Sequence, residues 1–182
     1  MSDQSKEGLL SPFLQNKRIN IAISRINGSV LDIGCGNGML AKYFSSDNYY
    51  GFDVQAEIIK VAKKNNPDHF FSNNMPEGRK FDSIVLLAVI EHIDDPIEYL
   101  TNLLPYLNQN GKIIMTTPHP IGDSIHDFGA KIGVFSKEAH DEHKLLLDYH
   151  LLASLLNDSP LKVCEYKRFL FFMNQLFVLK QR

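Results

Sequence analysis

Several things are scarce or missing in this chain, and each absence excludes a class of function. Its 182 residues include only two cysteines. Cys35 and Cys164 lie far apart, without the paired spacing of zinc ligands or of a C-x-x-C redox site, so both read as reduced thiols. No apolar stretch approaches the roughly 20 residues a membrane-spanning helix needs. The N-terminus is polar from Ser2 onward, which predicts a soluble, cytoplasmic protein without membrane insertion. Lys and Arg number 19 against 21 Asp and Glu, a net charge of −2. That balance supplies no bulk attraction for nucleic acid, and none is expected as a partner. Internal repeats and low-complexity tracts are also missing. With 44% hydrophobic residues, one domain spanning 1–182 is expected, with a core large enough to fold unaided.

One further absence is local. The run Val30-Leu31-Asp32-Ile33-Gly34-Cys35-Gly36-Asn37-Gly38 sends an apolar strand into a turn with three alternating glycines. The fourth glycine of the dinucleotide fingerprint G-x-G-x-x-G never arrives, because Met39 stands there. Asp32 adds a carboxylate at the mouth of the turn. A negative side chain beside bare backbone amides suits a ligand carrying positive charge better than a pyrophosphate, which seeks donors and helix-terminus potential.

Strand-like and helix-like segments alternate along the chain. Ser11-Pro12 reads as a helix start, Ile19, Ala22, Ile23 and Ile26 recur at helical spacing, and Gly28 ends that N-terminal segment, 1–28. After the glycine turn, Met39, Leu40, Tyr43 and Phe44 form the apolar face of an expected helix. Tyr49-Tyr50-Gly51-Phe52-Asp53 is a second strand ending in an acid, followed by a helix carrying Ile58, Ile59 and Ala62. A third strand is weakly marked around His69 to Phe71. The almost wholly apolar segment 81–89 reads as the centre of the sheet, covered on both faces. Pro96 opens a helix with Ile97, Leu100, Leu103 and Leu104, and Asn110-Gly111 turns the chain into a strand over 112–117. The aperiodic stretch 119–147 is a candidate substrate lid. Asp148 caps a helix carrying Leu151, Leu152, Leu155 and Leu156. The runs 161–172 and 176–179 form a terminal hairpin joined through Met173-Asn174-Gln175. Such alternation implies an α/β fold with a mainly parallel sheet, helices on both faces, and ligands at the carboxyl ends of the strands.

In order and spacing, these segments resemble a small class I S-adenosylmethionine-dependent methyltransferase. The glycine run matches the family's first motif and Phe52-Asp53-Val54 its second. Phe81-Asp82-Ser83-Ile84 and Glu91-His92-Ile93-Asp94-Asp95-Pro96 match the central strand and its exit, and Gly111-Lys112-Ile113-Ile114 the next strand. The resemblance implies a Rossmann-like, doubly wound sheet of seven strands with a C-terminal antiparallel hairpin, and S-adenosylmethionine as cofactor with S-adenosylhomocysteine as product. It places the methionine end of the cofactor over Gly34, Cys35, Gly36 and Gly38, with Asp32 near its ammonium. Asp53 takes the ribose diol and Val54 lines the adenine slot, while Leu87 and Ala88 flank the methionine and ribose. The adenine amine falls near Asn73, Asn74 and Met75, where an asparagine replaces the family's usual aspartate; an amide oxygen can still accept from an amine.

Methyl transfer needs alignment above all, and a general base only where the acceptor must lose a proton early. Histidine is the available base. Of His92, His119, His126, His140 and His143, all beyond strand ends, His119 and His143 are the catalytic candidates. Some relatives bind metal through Glu-x-x-Glu-His, but Ala88 replaces the first glutamate here and no metal is expected. A chain this small favours a small-molecule acceptor, such as a sugar, a glycan precursor or a quinone-like ring. Two other readings stay open, an NAD-dependent oxidoreductase on the same platform and a noncatalytic S-adenosylmethionine-binding regulator. The oligomeric state is not legible.

Overall fold

The computed structural model describes residues 10–120 and 147–182. Candidate residue His143, the histidines His126 and His140, and most of the expected lid lie outside these residues.

Val30, Leu31, Asp32 and Ile33 are all buried, as befits a strand with neighbours on both sides and helices on both faces. This strand, β1 (Val30–Ile33), pairs in parallel with β2 (Tyr49–Phe52) and with β4 (Phe81–Leu87). β3 (Phe70–Ser72) extends the sheet beyond β2, and β5 (Leu107–Pro118) runs parallel beside β4. β6 (Leu161–Phe169) and β7 (Asn174–Gln181) form the antiparallel hairpin, with β7 inserted between β5 and β6. The order is β3-β2-β1-β4-β5-β7-β6, seven strands with β4 at the centre. Strand addition reverses direction between β1 and β4, and in such sheets ligands bind at the carboxyl ends beside that reversal.

Among the described residues, four helices cover the sheet. Ile19 and Ala22 of α1 (Leu10–Ile23) and Ile59 and Ala62 of α2 (Ala56–Asn65) belong to clusters with Val30, Tyr49, Val85, Ile114, Leu176 and Val178. Alternate residues of the same strands, among them Leu31, Ile33, Ile84, Leu86, Ile113 and Phe177, meet Leu100 of α3 (Pro96–Asn102) and Leu152 of α4 (Tyr149–Leu155). Each large apolar side chain so enclosed contributes about 1.5–3 kcal/mol. Asp95 and Asp148 cap α3 and α4, accepting from Glu98 N at 2.9 Å and from Leu151 N at 2.8 Å.

Four expectations need correction. The helix after the glycine turn does not form; single 3₁₀ turns at Ala41–Tyr43 and Ser46–Asn48 take its place. Ser45, Ser46, Asp47 and Asn48 crowd the approach to β2, and Asn48 Nδ2 donates to Ser45 Oγ at 3.1 Å, a local bond that competes with helix. α1 stops at Ile23, five residues before Gly28, as Arg25 N and Ile26 N close tight turns on Ala22 O and Ile23 O. Asn110-Gly111 does not precede β5 but lies within it, where Phe81 pairs with Leu107 and Ser83 with Lys112, and the residues between bulge out. Finally, the hairpin turns at 170–173, and Asn174 and Gln175 already belong to β7. Leu170, Phe171 and Phe172 there have φ of 50°, 54° and 67°, a left-handed run that costs side chains with a Cβ roughly 1–2 kcal/mol each.

Candidate functional site

The turn after β1 is fastened to the end of β2. Gly34 N and Cys35 N both donate to Phe52 O, at 2.8 and 3.0 Å. The next residue, Asp53, is thereby brought against the turn. One carboxylate oxygen accepts from Gly36 N and the other from Gln55 N, each at 3.0 Å, while Asp53 N donates to Ser72 O at 3.2 Å. Asp53 thus links the ends of β1, β2 and β3.

The glycines do different work. A Cβ on Gly34 would lie 2.5 Å from Val89 Cγ2, and one on Gly38 2.6 Å from Asn66 Nδ2, so both are needed for packing. Gly36, at φ 53°, would place its Cβ with nothing within 4 Å. Open space therefore lies off the Gly36 Cα, next to the amide whose N–H donates to Asp53.

Asp32 is buried beneath the turn, where Tyr49 Oη donates to its Oδ2 at 2.5 Å. Burial pushes its carboxyl up to about 7; the bond from Tyr49 opposes that rise and the nearby charge of Asp53 adds to it. The Tyr49 ring is held among Phe44, His69 and Phe71, with centroids 6.2, 5.7 and 5.7 Å away. Burial, and then Asp32 and Asp53, push the Cys35 thiol well above its ordinary range. It stays protonated and unreactive.

Across the edge, Tyr50 Oη donates to Asn74 O at 3.0 Å and Asn74 N to Ser72 Oγ at 3.0 Å, fixing the exit from β3. The side chains of Asn73 and Asn74 are exposed, Met75 is half-buried, and Val54 is 76% exposed at the rim. Leu87 ends β4 half-buried. Ala88 follows at φ 60° with its N donating to Thr116 O at 2.9 Å, an uncommon backbone state for alanine that turns the chain away from the central strand.

His119 lies just past β5, buried, with its N donating to Met173 O at 2.9 Å. Burial, and then the Arg168 charge, lower its pKa against a smaller upward pull from Asp148, so the imidazole is neutral at pH 7. Glu91 is buried while the neighbouring His92 is exposed. Among the described residues no group of three or more His, Cys, Asp or Glu could hold a metal ion, and no helix is long and apolar enough to cross a membrane.

Three parts of this edge were not anticipated. Tyr49 was read only as strand, because an inward hydroxyl leaves no mark on an apolar pattern. Arg18 Nε donates to Asn174 Oδ1 at 3.1 Å and feels the Glu91 charge, a contact across 156 positions that no local spacing reveals. Gln175, fully buried, donates through Nε2 to Pro118 O at 3.0 Å and to Leu147 O, and its Oε1 accepts from Tyr166 Oη at 3.3 Å.

A parallel sheet reversing at β1/β4, a glycine turn there, and an acid closing β2 define a class I, Rossmann-like methyltransferase domain. The family model described as "Methyltransferase domain" matches residues 13–165, and the chain belongs to that family, whose methyl donor is S-adenosylmethionine. Among curated proteins, a ubiquinone biosynthesis O-methyltransferase of Ruegeria sp. (strain TM1040) is 28% identical over 157 residues, 78% of this chain and 63% of that protein. A malonyl-[acyl-carrier protein] O-methyltransferase of Halalkalibacterium halodurans is 30% identical over 107 residues, 50% of this chain and 40% of that protein. The chain thus spans less than two thirds of the length of these relatives. In fold, it matches the magnesium protoporphyrin IX methyltransferase of Synechocystis PCC 6803 with bound S-adenosylhomocysteine, at TM-score 0.71 and 13% identity, covering 100% of this chain and 89% of that one.

Proposed function

We propose that this chain transfers the methyl group of S-adenosylmethionine to a small-molecule acceptor, most simply a hydroxyl oxygen. The observation that carries this reading is the open space off Gly36, beside the Asp53 carboxylate, with the Asp32 carboxylate buried beneath the same turn. Such a space suits a ligand with cationic groups and a ribose diol. Asp32 would face the ammonium and Asp53 the ribose, with Gly34, Cys35, Gly36 and Gly38 along the methionine portion. Val54, Asn73, Asn74 and Met75 would surround the adenine, and Leu87 and Ala88 the ribose and methionine from the β4 side. When bound, the cofactor supplies a methyl group already activated by a sulfonium.

The chain's own part is orientation. Holding an acceptor atom in line with a methyl group accounts for about 7–11 kcal/mol of barrier in well-oriented systems. His119, neutral and at the end of β5, would take a proton from the acceptor, which is worth about 10²–10⁴-fold in rate; His143 remains the other candidate. Both curated relatives bear O-methyltransferase names, one from ubiquinone biosynthesis, which supports an oxygen acceptor and a quinone-like ring among the compounds to try. An NAD-dependent reading finds no support at this site. The turn leads into a 3₁₀ turn rather than a helix, so the dipole that favours a pyrophosphate is missing.

Calorimetry with S-adenosylhomocysteine, S-adenosylmethionine and NAD tests the donor. Binding of both adenosyl ligands is expected, weakened at least tenfold in Asp53→Ala; binding of NAD alone would overturn the proposal. Incubation with S-adenosylmethionine and a panel of phenols, carboxylates and sugars should give one compound heavier by a methyl group. Failure across all three classes, with donor binding intact, would favour the noncatalytic regulator.

A further inference from the structure

Two phenylalanines stand clear of the fold at one point. Phe171 is 88% and Phe172 64% exposed, and with Leu170 they occupy the three consecutive left-handed positions of the β6–β7 turn. Side chains with a Cβ adopt that conformation singly and under strain. The turn is nonetheless well anchored. Met173 N donates to Leu170 O at 3.0 Å, His119 N to Met173 O at 2.9 Å, and Asn174 pairs with both Pro118 and Phe169. A strained, anchored turn thus holds two exposed rings at one point of the surface.

Its position and charge indicate what the rings meet. The turn lies on the carboxyl edge of the parallel strands, the edge on which the glycine turn opens, and β7 is three strands from β1, about 14 Å at ~4.8 Å per strand. Register puts Lys167 opposite Leu176 and Arg168 opposite Gln175, on the two faces of the hairpin. On α1, Phe13 is 50% exposed with Lys17 Nζ 5.3 Å from its ring centroid, one residue from the Arg18 that reaches Asn174. Among the described residues, the acids in reach are engaged. Glu91 is buried facing Arg18, Asp148 caps α4, and Glu165 pairs with Arg25 at 2.6 Å. Among the described residues, Lys17 and Lys167 close no ion pair of their own, although the Lys167 charge is felt by Glu165.

We propose that the 170–173 turn is an insertion tip for a bilayer surface carrying anionic lipids. Phe171 and Phe172 enter the boundary between headgroups and acyl chains, while Lys17, Lys167 and Arg168 meet the headgroups. A second copy of the chain fits this patch less well, because a two-fold contact through it sets like charges against each other. Docking in this way turns the acceptor edge toward the lipid.

The chain has no tryptophan, so Phe172→Trp in the 182-residue chain gives a single fluorescent reporter at the tip. Vesicles containing phosphatidylglycerol should shift its emission to the blue, and phosphatidylcholine vesicles far less. Co-sedimentation with the anionic vesicles should weaken roughly tenfold or more in Phe171→Ser/Phe172→Ser and roughly tenfold in Lys167→Glu. The affinity of both variants for S-adenosylhomocysteine should match the parent's, which separates lipid docking from the methyltransferase reading. An emission maximum unmoved by anionic vesicles overturns the proposal. So does one already blue-shifted without lipid in a protein that light scattering shows to be dimeric.

Discussion

Raising the Asp32 carboxyl from 3.8 to about 7 corresponds to roughly 4 kcal/mol of coupling between its protonation and folding. Between those values the folded chain holds a proton that the unfolded chain releases, so this group makes stability fall as pH rises from about 4 to 7. Asp32→Asn should therefore raise the melting temperature relative to the parent by an amount that grows over that range and levels off above pH 7. Thermal melts of both proteins from pH 4 to 8 check this; a constant difference would remove Asp32 as the cause. A cationic ligand favours the ionised carboxyl, so S-adenosylhomocysteine should bind about tenfold more tightly at pH 8 than at pH 6. Tyr49→Phe removes the bond that opposes the upward shift, and the midpoint of that binding curve should move to higher pH. Asp32 and Asp53 were legible because each ends an apolar run near glycines or a strand exit. Tyr49 was not, since its role depends on a neighbouring strand's register.

At the scale of elements, the glycine turn separates packing from binding. Gly34→Ala forces a methyl to within 2.5 Å of Val89 at a left-handed φ, and a loss of about 2–3 kcal/mol is expected. Gly36→Ala meets no neighbour, so its melting temperature should change less while S-adenosylhomocysteine affinity falls at least tenfold. Melting and titration of the two variants side by side test the distinction. Gln175→Leu leaves the carbonyls of Pro118 and Leu147 without their shared donor, at about 1–3 kcal/mol each. A chemical-denaturation midpoint equal to the parent's would show that clamp to be dispensable. The strands were read well because burial on two faces writes near-continuous apolar runs, and the helix start at Pro96 and the cap at Asp148 because such signals are local. The helix expected after Gly38 failed for the converse reason. Met39, Leu40, Tyr43 and Phe44 have helical spacing, but the serine-rich stretch behind them bonds to itself, and sidedness alone cannot show that a segment is too short to close. The hairpin turn escaped because Leu-Phe-Phe-Met carries none of the usual turn residues.

Over the whole molecule, sheet order was only partly legible. Strand and helix alternation implied a parallel sheet, whereas the insertion of β7 between β5 and β6 rests on pairings such as Ile114 with Val178, far apart along the chain. The same is true of the N-terminal helix. Arg18 bonds Asn174 across 156 positions, Arg25 just past the helix bonds Glu165 across 140, and Ala22 packs on Ile114, Leu176 and Val178. Pulse-labelled hydrogen exchange during refolding should find α1 amides gaining protection in the same phase as those of β7. Protection of α1 well before β7 would mean that its docking relies on the earlier strands alone. On the ribosome this arrangement sets an order of events. α1 is made before the strands that hold the partners of Arg18 and Ala22, so that part of its surface must wait, uncovered, until β5 and β7 have been synthesised. During that interval it is a natural handle for a holding chaperone, and a ribosome stalled before β7 would release a fragment in which α1 has only the earlier strands to pack on.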